Sequence, residues 1–158
     1  MARPPRENYL SWDECLMQMA HVISQRSKDP STQTGAVIVN QDNVIVGMGY
    51  NGWPRGTEHD FPWDSEGDFL NVKNTYVVHA EENAIYNANQ STKGGILYCL
   101  LFPCNECAKT IVQTGIKEVV FESDRNHDRP VWVASRRILD AAGVKYRQYR
   151  SQLAKEEK

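Results

Sequence analysis

The spacing of apolar residues changes several times along this chain, and each change marks an element. In "LSWDECLMQMAHVISQRS" (10–27), Trp12, Leu16, Met19, Ala20 and Ile23 recur at helical spacing behind a capping box of Ser11 and Glu14. That predicts a first helix, stopped by Asp29-Pro30. "GAVIVN" (35–40) and "NVIVGMGYN" (43–51) are β-branched runs joined across Asn40 to Asn43, which predicts an antiparallel hairpin with a short turn. From residue 79 onward helices and strands alternate: helix 79–90, strand 95–101, helix 103–115 with Pro at its start and Gly at its stop, strand 116–123, helix 130–143 and strand 144–149. Strands separated by helices need crossovers, so they pair in parallel. The expected fold class is α/β in three layers, α/β/α, around a mixed five-stranded sheet made of the opening antiparallel hairpin and parallel strands. Residues 53–76 hold no steady period, and a loop of that length in a compact domain usually has a job, such as a lid. Its aromatics Trp53, Phe61, Trp63 and Phe69 would anchor a lid, fill a subunit interface or pack locally.

Composition narrows the class. With 158 residues, 41% of them hydrophobic, the chain suits a single domain over 1–158 with a core at 9–149. The polar tail "SQLAKEEK" (151–158) is expected to fray. A net charge of -2 argues for neither an obligate nucleic-acid binder nor a membrane-surface protein. Residues 125 to 150 carry a basic excess, read as a solvated face because no aromatic residues interleave it on an open surface. No apolar stretch reaches the roughly 20 residues a membrane helix needs, and "MARPPREN" is not followed by a signal-like apolar segment. A cytoplasmic home is therefore expected. Four cysteines are too sparse for a disulfide scaffold, and the spacing of Cys104 and Cys107 belongs to metal or redox chemistry.

"PCNECAK" puts Cys104 and Cys107 at i and i+3, neighbours on the first turn of a predicted helix. His79 begins another predicted helix one crossover upstream, and in a parallel crossover both helix starts lie at the same end of the sheet. One imidazole and two thiolates form a soft set that suits Zn2+ with a fourth position open to water. Glu81, two residues after His79, reaches that position only if His79 sits in or just before the first turn. It would then be a base beside the metal and not a ligand, moving a proton from a water that zinc acidifies from about 15.7 toward about 7. Two blander readings stand beside this one. The CxxC could be a redox pair, or half of a closed structural zinc site completed by Cys99, Cys15, His21, His59 or His127. Cys99 and Cys15 read as packed apolar residues and His21 as a surface residue.

His79-Ala80-Glu81 followed by Pro103-Cys104-Asn105-Glu106-Cys107 resembles the H-x-E and P-C-x-x-C signature of the zinc-dependent nucleoside deaminases, with both halves in order and on matching elements. "QRSKDPSTQTGAVIV", "GYNGWPRG" and "CNECAKTIVQTGIKEVVF" are similar to the deoxycytidylate deaminase branch over roughly residues 9–149, including an insert between Gly52 and His79 that tRNA-editing relatives lack. The resemblance implies a cytidine-deaminase-like fold and a hydrolase acting on a cyclic amidine, converting dCMP to dUMP and ammonia for thymidylate synthesis. It also implies a homo-oligomer, a hexamer, activated by dCTP with Mg2+ and inhibited by dTTP. Glu81 would be the proton shuttle, and His79, Cys104 and Cys107 the ligands of one zinc per chain.

The 5′-phosphate calls for cations, and Arg26, Ser27 and Lys28 supply donors at a helix end, where an ordinary solvated turn is the alternative. In the resemblance Asn51 contacts the sugar 3′-hydroxyl, though a turn asparagine would also suit "GYNG". Gly49, Tyr50 and Gly52 are the candidates to respond to the effector. "SDRNHDRP" places Asp124, Arg125 and His127 at the expected mouth of the site, to touch substrate or to solvate a loop. A tRNA or other polynucleotide deaminase and a non-catalytic zinc module are the competing functions; nucleic-acid partners and membranes are not expected.

Overall fold

The computed structural model of the chain describes residues 1–153. Nine regular elements follow one another: α1 (Trp12–Ser24), β1 (Gly35–Val39), β2 (Ile45–Tyr50), α2 (Ala80–Tyr86), β3 (Ile96–Leu101), α3 (Asn105–Gln113), β4 (Glu118–Ser123), α4 (Pro130–Ala142) and β5 (Lys145–Gln148). The strands form one sheet in the order β2-β1-β3-β4-β5. β1 pairs antiparallel with both β2 and β3, whereas β3, β4 and β5 run parallel. The hairpin turns where the sequence indicates, because the Asn40 side chain accepts from the N–H groups of Asp42 (2.9 Å) and Val44 (3.0 Å) and Asn43 takes φ 59°.

Both sheet faces are covered, so the central strands read as continuous apolar runs rather than alternating ones. Ala36, Ile38, Leu97, Cys99, Val119 and Phe121 face α2, α3 and α4. Val37, Val39, Tyr98, Leu100 and Val120 face α1 across the sheet. On α1 the buried stripe is rotated from the predicted one: Leu16, Met17, Ala20 and Ser24 are buried, while Trp12 is 56% exposed. The capping box also forms only by half. The Glu14 N–H donates to Ser11 Oγ at 3.2 Å, but the Glu14 carboxylate turns inward to accept from Tyr149, Ser151 and Gln152. The start of the tail predicted to fray from 151 is thereby held against α1; residues 154–158 lie outside the described residues.

The helix predicted over 79–90 ends at Tyr86. Its continuation is tied to β2 instead, the Asn87 amide donating to Met48 O (3.0 Å) and the Asn89 N–H to Val46 O (3.0 Å). The insert 53–76 carries only short 3-10 turns at Phe69–Asn71 and Lys73–Thr75. Its neck is closed by a two-way bridge, Gly52 N–H to Val78 O (3.1 Å) and Val78 N–H to Gly52 O (2.8 Å). Trp53 stacks on Trp63 and Phe61 on Tyr76, each at 4.0 Å, so these aromatics pack within the loop. Phe69 does not join them and is 74% exposed. No helix among the described residues is long and apolar enough to cross a membrane.

Candidate active site

The chemistry-bearing side chains sit at helix starts. His79 is the N-cap of α2 and Cys104 the N-cap of α3, both with extended backbone (ψ 157° and 173°) that throws the side chain beyond the first turn. Cys104 Sγ caps its own helix by accepting from the Cys107 N–H at 3.5 Å. β3 carries the chain from one helix start to the other, and His79 Nδ1 lies 3.4 Å from both Cys104 Sγ and Cys107 Sγ.

All three donor atoms lie within 4.8 Å of one another. Tetrahedral zinc with Zn–S of ~2.3 Å and Zn–N of ~2.0 Å demands nitrogen-sulfur separations of about 3.6 Å, so this cluster fits the ion almost unchanged. His79, Cys104 and Cys107 form the only cluster of this kind among the described residues. Cys99 is buried, and its thiol is pushed well up by burial first and the Glu81 charge second. His21 pairs with Glu122 at 2.8 Å on the far side of the sheet, and His59 and His127 are exposed. None of these closes the cluster's fourth corner.

Glu81 lies beside the cluster without joining its donor set, 93% buried, with Oε2 at 3.6 Å from Cys107 Sγ. Burial raises its pKa above the ordinary carboxylate value, only partly opposed by the His79 charge. Without metal the three donors share charge. The hydrogen bond from Cys107, then His79, brings the Cys104 thiol down to about 4, against the pull of burial. The bond to Cys104 raises His79 to about 9, again against burial. Cys107, donating to Cys104 and buried, is pushed well up.

His79, Glu81 and Cys104 line a cavity whose walls include Asp29, Asn51, Lys73 and Arg125, with Trp132 and Phe102 as its apolar side. Of the substrate-binding candidates, Asn51 lines it. Arg26 is exposed and off the wall, and Ser27 is behind it, its hydroxyl donating to Asn51 O at 2.9 Å. Lys28 lies in a neighbouring recess with Tyr50, Gly52, Trp53 and Arg55. Gly49 is not on that recess; it is pressed under α2, where a Cβ would meet Ala84 N at 2.3 Å. Arg125 does reach the cavity.

Sequence reading missed Lys73 altogether and took Asp29 only as a helix stop. The two form a buried ion pair, Lys73 Nζ donating to Asp29 Oδ1 at 2.9 Å and Oδ2 at 2.7 Å. They are 44 residues apart, and no local pattern joins them.

A family model described as the cytidine and deoxycytidylate deaminase zinc-binding region matches residues 10–123. A deoxycytidylate deaminase from Pongo abelii is 51% identical over 147 residues, covering 91% of this chain and 83% of the relative. One from Mus musculus is 50% identical over 153 residues, covering 95% and 86%. Among solved structures, the dCMP deaminase of cyanophage S-TIM5 in complex with dCMP and dUMP matches with a TM-score of 0.70 at 27% identity, covering 86% of this chain and 95% of that one.

Proposed function

The chain belongs to the cytidine and deoxycytidylate deaminase family, and from that premise we propose that it acts as one deaminase domain in the cytoplasm, hydrolysing dCMP to dUMP and ammonia. The observation that carries this reading is the position of Glu81, buried beside a His79–Cys104–Cys107 cluster and facing a polar cavity. Zinc held by those three side chains supplies a Lewis acid that makes water nucleophilic near neutral pH. The protein supplies the proton path. Burial makes Glu81 a stronger base than an ordinary carboxylate, so it takes a proton from the attacking water, delivers it to N3 of the cytosine and then moves a proton to the departing amine. Carbon-nitrogen cleavage at C4 then leaves dUMP, with water consumed and ammonia released.

Asn51 faces the sugar, and the cations at the rim face the 5′-phosphate. Arg125 is on the cavity wall, and the Arg26–Lys28 turn adjoins it through Ser27, whose hydroxyl holds the Asn51 carbonyl. The recess of Lys28, Tyr50, Gly52 and Arg55 suits an activating dCTP with Mg2+. It abuts α2, since Asn83 donates to Tyr50 O at 2.8 Å and Arg55 to Asn87 at 2.6 Å, so an anion bound there acts on the helix that carries His79 and Glu81. Inhibition by dTTP at the same recess and a hexameric assembly complete the reading.

The test is ammonia release by zinc-loaded protein. Turnover of dCMP well above that of deoxycytidine, raised further by dCTP with Mg2+, is the expected result. No release from dCMP removes the proposed reaction, equal rates on the two substrates remove the phosphate contact, and indifference to dCTP removes the regulation.

A further inference from the structure

The loop from β4 to α4 puts Arg125 on the cavity wall, and among the described residues its guanidinium has no hydrogen bond and no ion pair. Lys73, also on the wall, is already matched by the Asp29 carboxylate. What holds Arg125 in place therefore lies in its neighbours along the chain. Asp124, immediately before it, is taken up in an ion pair with Arg136 of α4. The second oxygen of that carboxylate, Oδ1, is buried with no partner among the described residues, so Arg136 alone answers the charge. Two residues after Arg125, the His127 carbonyl accepts from Arg136 Nη1 at 3.3 Å. One guanidinium on a helix thus pins the loop on both sides of a cation that nothing else holds.

The same guanidinium braces the apolar side of the cavity. Its Cζ lies 4.3 Å from the centroid of the Phe102 ring, within cation–π range. The Phe102 ring also meets Phe121 and Tyr146 edge to face at 4.9 and 5.3 Å. Its main chain donates to Ser123 O (2.9 Å) and accepts from Trp132 Nε1 (3.0 Å), and Phe102 stands two residues before Cys104. A planar fork suits this position, because its edges serve a carboxylate and a carbonyl while its face lies on a ring. The compact ammonium of a lysine could not do all three.

We propose that Arg136 is a positioning residue for the anionic group of the ligand, acting through Arg125. It occupies Asp124, the carboxylate next to Arg125 in the chain, and it fixes the loop so that Arg125 is presented to the cavity as an unmatched cation. Arg136 itself touches no ligand. The inference rests on the proposed contact between Arg125 and the 5′-phosphate, and it supplies the reason that this cation is free to make it. A guanidinium already oriented toward its anion loses less freedom on binding than one that must be ordered by it.

Steady-state kinetics of zinc-loaded protein on dCMP and on deoxycytidine, which lacks the phosphate, test this. Arg136→Met alone leaves the Asp124 charge unpaired and puts the fold at risk, so the variant of choice is Asp124→Asn with Arg136→Met, which removes both charges together. In that protein the KM for dCMP should rise about 10-fold with kcat within a few-fold of the wild type, while kcat/KM for deoxycytidine stays within a few-fold. Arg125→Ala by itself should cut the preference for dCMP over deoxycytidine by about 10- to 100-fold. Added to Arg125→Ala, the Asp124→Asn/Arg136→Met pair should change nothing further, because the cation it positions is gone. Equal losses on the two substrates, or losses that add to those of Arg125→Ala, are the mark of a pair that only supports the fold, and either result overturns the proposal. An Arg125→Ala protein that keeps the wild-type preference for dCMP removes the phosphate contact and the proposal with it, and leaves the deaminase reading standing. A wild type inert on dCMP removes both.

Discussion

Gly49→Ala is the substitution in which packing and chemistry meet most directly. A Cβ at this β2 position would lie 2.3 Å from Ala84 N, 2.6 Å from Ala80 O and 2.7 Å from Asn83 C, all backbone atoms of α2. No side chain can swing aside, so the helix must retreat by about 1 Å to restore an ordinary separation of about 3.5 Å. Overpacking of this kind costs about 1–3 kcal/mol. At roughly 2–4 °C per kcal/mol for a chain of this size, the melting temperature should fall by about 2–12 °C. The functional cost is separate. α2 carries His79, now 3.4 Å from both sulfurs, and Glu81 beside them. A displacement of about 1 Å pulls the imidazole out of the cluster and the carboxylate off its target, for a loss of about 100-fold in turnover. Thermal unfolding with excess zinc and with chelator, together with a zinc titration, separates the effects. The clash is with backbone, so the destabilisation should persist in chelated protein, with weaker zinc binding added to it. A Gly49→Ala protein that melts with the wild type and holds zinc equally well would show that α2 is not seated against β2 as described.

Glu81→Gln should keep one zinc per chain while turnover drops by about 100- to 10,000-fold, and turnover left intact would remove Glu81 as the proton carrier. In chelated protein the Cys104 thiol, lowered to about 4, is a thiolate at all higher pH. Its alkylation by iodoacetamide should therefore be nearly flat from about pH 5 to 8, whereas a rate climbing toward pH 9 would mean an ordinary thiol. Lys73→Ala should cost about 3–5 kcal/mol in urea unfolding by leaving the Asp29 charge buried and unpaired, and the Asp29→Asn/Lys73→Met pair should recover most of that loss.

What could be read ahead of the structure was local. The hairpin, the alternating helices and strands and the two metal-binding stretches each declare themselves within a dozen residues, and the crossover rule assembles them. The buried face of α1 did not, because Trp12, Leu16, Met17, Met19, Ala20 and Ile23 make two overlapping apolar stripes and only packing on Val37 and Val39 selects Leu16, Met17 and Ala20. The end of α2 was missed because Asn87 and Asn89 bond to β2 rather than continue the helix. Lys73 lay beyond reach for a different reason: an insert without periodicity gives no sign of which of its charges turns inward, and its partner is 44 residues away.

The spacing of the two motifs also has a structural cause. With His79 at an N-cap, the residue two places on is N2, still inside the turn whose side chains can look past the helix end, whereas i and i+2 diverge by about 200° along a regular helix. With Cys104 at an N-cap, Cys107 is N3, the position whose N–H an N-cap side chain normally bonds, so the sulfur does the work usually done by a serine oxygen. The metal cluster therefore borrows capping geometry that the helices require anyway, while the apolar core is assembled from Leu97, Ile111, Val119 and Leu139 without passing through the metal.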